Sequence, residues 1–138
     1  MTKQLLKGFW AVSLVAVMAA LSVPVEAAEV ACKVPFRFMV NGTTLPEGSY
    51  NVSTSGGTLF VRGYSAGAFV LSNGIASNNP SPAKLVFHKY GDQYILRQVW
   101  MGGSSGRELP APRLERSLAK AAQEGKVAGF EQVVIPVL

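Results

Sequence analysis

The sequence is poor in the residues that most often carry chemistry. Of 138 residues, one is histidine (His88) and one is cysteine (Cys32). A lone cysteine cannot close a disulfide within the chain, so packing must hold the fold together. A single imidazole leaves little room for a histidine-based catalytic triad or a histidine-rich metal site. We therefore expect no metal, no cofactor and no catalytic residue, and we interpret Cys32 as a small, half-buried strand residue.

Paired carboxylates are also missing from the pattern. A glycoside hydrolase needs two carboxylates about 5–10 Å apart, and the spacing brings no two acidic residues together. Gly102–Gly106 does match Gly-x-Ser-x-Gly, with Ser104 at the nucleophile position. In hydrolases a helix follows that motif directly, whereas residues 107–112 intervene here. We interpret GGSSG as a flexible linker, and a small secreted hydrolase that uses Ser104 or His88 is the alternative.

The chain has one long apolar run, and it lies at the amino terminus. Lys3 and Lys7 precede the uncharged stretch from Gly8 to Val23, and small residues follow. This layout is typical of a secretory signal peptide, residues 1–27, with cleavage after Ala27 or, as a second choice, Ala28. The run is shorter than the ~20 residues of a membrane-spanning helix. An uncleaved signal peptide is the one membrane attachment that the pattern leaves open.

Cys32 raises the alternative of a lipoprotein. A lipid-modified cysteine needs a leucine-like residue three positions earlier, and Glu29 stands there. The apolar run also ends well before Cys32, so we expect no lipid. The predicted protein is secreted or periplasmic.

Residues 28–138 are predicted to form a single antiparallel β domain. Removal of the signal peptide lowers the net charge from +5 to +4. The basic residues are scattered, whereas a nucleic-acid surface gathers lysine and arginine into a dense stripe. We expect no nucleic-acid partner, and the expected partner is an unknown protein or envelope component.

The stretch from Lys84 to Gly103 predicts the central β-hairpin. Gly91–Asp92 suits a two-residue type II′ turn, which fixes the register. Phe87 then lies opposite Leu96, Val86 opposite Arg97, and Leu85 opposite Gln98. The predicted core face carries Leu85, Phe87, Tyr94, Leu96 and Trp100, and the other, mixed face carries Val86, His88, Tyr90, Ile95, Arg97 and Val99. We expect a sheet edge or a helix to cover the mixed face, because it is too apolar to lie in water.

Short strands separated by turn signals extend on both sides of this hairpin. They predict an antiparallel β-sandwich or small barrel with one carboxy-terminal helix. The predicted strands are Val30–Val40 with an edge or bulge at Pro35, then strands that begin at Tyr50, Thr58 and Ala68, and a last strand in Phe130–Val137. Asn41–Gly42 and Leu45–Gly48 are predicted turns, and Asn73–Pro82 is a predicted loop.

A helix is predicted at about residues 113–124. Pro112 suits the first turn, and Gly125 suits the end. Its narrow apolar stripe is Leu114, Leu118, Ala121 and Ala122, and Arg116 and Lys120 are predicted to face water. Such a weak stripe makes the helix depend on docking against the sheet.

The densest group of charges surrounds the start of this helix. It comprises Arg107, Glu108, Arg113, Glu115 and Arg116. One interpretation is a docking site for an anionic partner, with Arg107, Glu108, Arg113 and Arg116 as candidate residues. The other, which we favour, is ion pairing within the chain that holds the helix on the sheet.

Four segments together resemble a family of small exported proteins of soil bacteria such as acidobacteria. The segments are Val34-Pro35-Phe36-x-Phe38, Leu45-Pro46-x-Gly48-x-Tyr50, Lys84–His88 with Tyr90-Gly91-Asp92, and Gly106–Pro110. The resemblance covers nearly all of the predicted mature chain. It implies export and an all-β fold, and it implies no activity and no site residue.

The sequence thus predicts an exported, non-enzymatic β domain with a binding or envelope-associated role. A hydrolase that uses Ser104 or His88 is one alternative. A surface protein that self-assembles through its carboxy-terminal strand is the other, since an apolar edge strand can pair with a second copy. The sequence names no ligand, partner, pathway or oligomeric state.

Overall fold

Two packed β-sheets and one helix make up the described chain, which confirms the predicted all-β sandwich. The structure is a computed structural model that describes residues 29–137, so the predicted signal peptide lies outside the described residues. In chain order the elements are β1 (Glu29–Val34), β2 (Phe38–Val40), β3 (Thr43–Leu45), β4 (Gly48–Ser55), β5 (Thr58–Gly63), β6 (Gly67–Leu71), β7 (Asn73–Ser81), β8 (Lys84–Tyr90), β9 (Gln93–Trp100), β10 (Gly103–Glu108), α1 (Arg113–Gln123) and β11 (Glu131–Pro136).

Sheet 1 has the strand order β1-β4-β5-β6, and sheet 2 has the order β11-β8-β9-β10-β7. The short strand β2 joins sheet 2 through a parallel contact with β9 and also pairs with β3. The core fills the space between the sheets. Its buried members include Val34, Val52, Leu59 and Val61 from sheet 1 and Leu85, Phe87, Leu96 and Val99 from sheet 2.

The chain changes sheets at Pro35. The predicted single strand Val30–Val40 is wrong, because β1 ends at Val34 in sheet 1 and β2 begins at Phe38 in sheet 2. Proline lacks a backbone N–H and cannot continue a ladder. The apolar alternation nevertheless survives the break, since Val34 and Phe38 are buried and Phe36 packs against the same core.

The central hairpin forms around the predicted turn. Gly91 has φ +57°, as the first central residue of a type II′ turn requires. The pairs follow the predicted register from Tyr90 opposite Gln93 to Phe87 opposite Leu96.

Beyond Phe87 the predicted register is wrong by one residue. A β-bulge leaves Arg97 without a partner on β8, so that Val86 pairs with Gln98. A bulge inserts one extra residue into one strand, so each later residue of that strand points to the opposite face of the sheet from the one predicted. Val99 is therefore buried in the core, and Trp100 pairs with Lys84 on the opposite face.

Two segments predicted to be irregular are strands that pair with each other. The predicted loop Asn73–Pro82 contains β7, and the predicted linker Gly102–Gly106 contains most of β10. They are antiparallel, with Gly106 opposite Ile75 and Arg107 opposite Gly74. Their glycine, serine and asparagine residues carry no strand signal, and backbone pairing between the two segments makes them strands.

The helix and the last strand lie where they were predicted. α1 begins after Pro112, and its end is closed by backbone hydrogen bonds from Gly125 to Ala122 and from Lys126 to Ala121. This pair of bonds is the Schellman pattern. β11 pairs with β8, and its inward side chains Val133 and Ile135 pack against the core.

Candidate functional site

Glu115 lies at the centre of a buried polar cluster between α1 and sheet 2. Its side chain is 4% exposed. Arg97 Nη1 donates to Oε2 at 2.5 Å, Tyr90 donates to Oε1 at 3.3 Å, and His88 Nδ1 is hydrogen-bonded to Oε1. Arg97 Nε also donates to the carbonyl of Leu109 at 3.1 Å. The cluster thus connects the helix, two strands and the segment before the helix.

Phe130 partly covers this cluster. The ring of Phe130 stacks on the imidazole of His88, with centroids 3.9 Å apart and planes 13° from parallel. Burial raises the pKa of the Tyr90 hydroxyl, and the nearby Glu115 carboxylate raises it further. Because the groups satisfy one another and are covered, the cluster holds the helix on the sheet and leaves little access to a substrate.

This arrangement confirms that the helix covers the mixed face of the hairpin. Val86 and Ile95, which lie on this face, are also buried. Sequence reasoning missed Glu115 as the buried residue of the helix. The signal was present, since Glu115 lies three positions before Leu118 and seven before Ala122, which places all three on one side of the helix.

The four candidate docking residues do not share one face of the molecule. Arg113 and Arg116 are exposed on α1. Glu108 is 43% exposed and lies 3.8 Å from Arg97. Arg107, the neighbour of Glu108 on β10, points to the other side of the strand, because side chains alternate along a strand.

Arg107 connects the two sheets. Nε donates to Ser72 Oγ at 2.9 Å, and Nη2 donates to the carbonyls of Ser72 at 2.5 Å and Gly57 at 3.4 Å. These acceptors lie at one end of sheet 1, where Ser72 also donates its own backbone N–H to Gly57. No carboxylate within residues 29–137 lies within 4.0 Å of the Arg107 guanidinium, so its charge has no acidic partner there.

The structure keeps Ser104 and His88 apart. His88 pairs with Ile95, and Ser104 lies two residues before Gly106, which pairs with Trp100. Ile95 and Trp100 are five residues apart along β9, or about 16 Å at ~3.3 Å per residue. The two residues therefore cannot work together on one bond, and the helix that a nucleophile turn needs does not follow Ser104 directly.

Cys32 is a core residue. It is 1% exposed, and its thiol contacts the carbonyl of Tyr50 at 3.6 Å. Burial raises the pKa of the Cys32 thiol to about 11. The thiolate is the reactive form, so this cysteine is an inert, buried group, which is more buried than expected.

Neither a metal centre nor a spanning helix is found in the described part of the chain. Between residues 29 and 137 no three histidine, cysteine or acidic side chains come together in a way that could hold a metal ion. Over the same residues no helix has the length and apolar character to cross a membrane.

Within residues 29–137 the three most exposed large apolar side chains lie on the hairpin of β5 and β6. Phe69 is 70% exposed, Leu71 is 75% exposed, and Tyr64 in the connecting turn is fully exposed. Phe60 lies beside Phe69, with ring centroids 6.3 Å apart. The guanidinium of Arg62 lies over the Phe60 ring, 5.2 Å from its centroid.

A groove runs along this surface, and we call it the β6 groove. Its volume is about 570 Å3, and it is lined by Asn41, Thr58, Phe60, Phe69, Val70 and Leu71. The side chain of Val70 points into the core, so Val70 lines the groove with its backbone atoms at the edge of the sheet. The groove therefore combines apolar side chains with the edge of a strand. Sequence reasoning treated this stretch as an ordinary strand, although the alternation of Phe69 and Leu71 around Val70 was visible.

No protein-family model, no curated protein and no solved structure matches this chain. The resemblance to exported acidobacterial proteins accordingly stays a prediction.

Proposed function

We propose that this chain is an exported, non-enzymatic binding domain and that the β6 groove is its binding surface. The observation that carries the proposal is the exposure of Phe69 and Leu71, 70% and 75%, on a strand that ends its sheet. Contiguous apolar surface of this kind is uncommon on soluble monomers and marks interaction sites. Export rests on the pattern of residues 1–27.

The proposed occupant is an extended, apolar segment of another polypeptide. β6 pairs with β5, and within residues 29–137 no strand pairs with its other side. The β2–β3 hairpin comes close to part of β6, and Asn41 of its turn lines the groove. An added strand would pair with the backbone groups of β6 that this hairpin leaves open and pack alternate side chains against Phe69 and Leu71.

The edge also lacks the features that normally prevent such pairing. Natural edge strands carry charges, prolines or bulges that block an incoming chain. β6 has the sequence GAFVL, without charge or proline, and its pairing with β5 is regular over the whole strand. Arg62 beside the groove favours a segment with an acidic residue next to its apolar positions.

The test uses a synthetic peptide of alternating valine and threonine with one central glutamate. We expect it to shift the backbone amide resonances of β6 in a heteronuclear NMR titration and to slow their hydrogen exchange. The double variant Phe69→Ser and Leu71→Ser should abolish these changes. Val134→Ser is the matched control, because Val134 is also exposed, at 45%, but lies on β11.

Two results would reject the assignment. The first is a titration in which β6 amides do not move or move equally in the double variant. The second is a concentration-dependent dimer of the unliganded protein that the double variant dissociates, since the occupant would then be a second copy.

The alternative of self-assembly through the carboxy-terminal strand has its own measurement. β11 supplies Val133 and Ile135 to the core, so deletion of residues 130–138 would damage the fold. Val134→Ser leaves the core intact. An oligomer that disappears in Val134→Ser would favour this alternative.

A further inference from the structure

A second cavity opens between the two sheets, at the end of the sandwich where β7 and β10 pair. We call it the inter-sheet cleft. Its volume is about 430 Å3, and it is lined by Thr54 of β4, Gly74, Ile75 and Ala76 of β7, and Met101, Ser105, Gly106 and Arg107. Small-molecule sites are typically ~300–1,000 Å3, so the cleft has room for a small organic ligand.

Most of the cleft lining is apolar, and Met101 packs against the core at its inner side. The walls come from both sheets, since Thr54 belongs to sheet 1 and the paired residues Ala76 and Ser105 belong to sheet 2. Ala76 and Ser105 are exposed, so the cleft is open to solvent, and an apolar group of a ligand can lie between walls from the two sheets.

One cation borders the cleft. Arg107 is half-buried, and its Nε and Nη2 are used by Ser72 and Gly57. Those acceptors are neutral, and no carboxylate of the described residues pairs with the guanidinium. Arg107 Nη1 makes no hydrogen bond within residues 29–137, and it is not among buried unpaired atoms, so it is accessible. A partly buried charge without a counter-charge favours an anion.

We propose that the inter-sheet cleft binds a small organic carboxylate with an apolar body. The carboxylate accepts a charge-assisted hydrogen bond from Arg107 Nη1, and the apolar body packs between Thr54, Ala76 and Met101. The three bonds that hold the guanidinium to sheet 1 fix its position before the ligand arrives, which lowers the entropy cost of binding. This site is separate from the β6 groove and does not depend on the proposed peptide binding.

The probes are sodium octanoate and its neutral analogue octan-1-ol, titrated into the whole chain and followed by NMR. We expect octanoate to shift the amides of Thr54, Ala76 and Arg107 and to bind at least about tenfold more tightly than octan-1-ol, because a hydrogen bond to a charged group contributes about this factor. Arg107→Gln should lower the affinity for octanoate to that for octan-1-ol. Ala76→Leu, which fills the cleft, should weaken both.

Controls separate binding from loss of fold. Arg113→Gln changes an exposed arginine on α1 and should leave the preference for octanoate unchanged. Arg107→Lys retains the charge and should keep part of the preference, which preserves the test if Arg107→Gln does not fold. Equal binding of the two probes, no binding of either, or a preference that survives Arg107→Gln would overturn the proposal. The double variant Phe69→Ser and Leu71→Ser should bind octanoate normally.

Discussion

The carboxylate of Glu115 lies 2.5 Å from Arg97 Nη1 and is the main polar link between the helix and the sheets. Arg97 is the extra residue of the β9 bulge. Arg97 lies two residues after Ile95, on the side of the strand that faces α1, and the bulge changes the faces of the residues that follow it. Without this bulge the strand would present Arg97 and Val99 to the same face, and Val99 would leave the core.

The same link explains why a helix with a weak apolar stripe is stable here. Glu115 is the buried residue of α1, whereas the predicted stripe residues are only half-buried. A buried carboxylate is costly to desolvate unless it is paired and hydrogen-bonded. Here His88, Tyr90 and Arg97 provide those bonds, so the helix is fixed in one position by polar geometry as well as by packing.

Substitution of Glu115 should therefore be far more damaging than substitution of an exposed acid. We expect Glu115→Ala to lower the free energy of unfolding by about 3 kcal/mol or more, because Arg97 and His88 lose their buried partner. The control is Glu124→Ala, which removes an exposed pair with Lys126 and should cost less than about 1 kcal/mol. Urea unfolding followed by circular dichroism measures both, and similar losses would contradict a central role for Glu115.

Ionisation of Cys32 should make the fold less stable in alkali. Burial raises the pKa of the thiol from 9.0 to about 11. Below pH 9 the thiol is protonated in both states, and its contribution is fully present. Between pH 9 and pH 11 the unfolded thiol ionises while the folded one stays protonated, so rising pH favours unfolding by about 1.4 kcal/mol per pH unit.

The measurement compares the native protein with Cys32→Ala between pH 7 and pH 10. Groups that Cys32 does not influence cancel in the difference. Burial raises the pKa of the Tyr50 hydroxyl, and the nearby Cys32 thiolate raises it further, so Tyr50 changes the difference in the same direction as Cys32. We expect the stability advantage of the native protein to shrink above pH 9. An advantage that stays constant to pH 10 would show that Cys32 does not titrate on unfolding.

Gly106 should tolerate no side chain. A Cβ atom at this position would lie 2.7 Å from the ring of Trp100 and 2.9 Å from the carbonyl of Val99. Gly106→Ala should therefore destabilise the fold by about 1–3 kcal/mol, the usual cost of overpacking. Gly129→Ala is the matched control, since a Cβ there meets nothing within 4 Å and φ is not positive. Equal urea midpoints for the two variants would exclude a close contact between Trp100 and β10.

Local patterns were reliable where the chain turns. Gly91–Asp92 fixed the hairpin, Pro112 and Gly125 bounded the helix, and Asn41–Gly42 forms the turn between β2 and β3. At these positions the allowed backbone angles depend on the residue itself, so the local sequence is enough to predict the turn or the end of the helix.

Patterns failed where a strand depends on its neighbour. β7 and β10 have few apolar residues, and neighbouring strands supply the backbone pairing: β10 pairs with β9 and with β7. The bulge at Arg97 likewise follows from no local pattern, and its effect is to bring Val99 into the core. The buried cluster and the inter-sheet cleft also join segments distant in the chain, and no local pattern could place them.

The amino-acid order alone determined the turns, the alternation of inward and outward side chains and the position of the helix, because each depends on backbone angles and on side chains within a few residues. The tertiary structure alone decided which strands pair, where the register shifts, that Glu115 is buried, and that Arg107 lies between the sheets. Those outcomes depend on the free energy of contacts between distant segments, in which a buried charge or an unpaired backbone group is stable only when its partner is already in place.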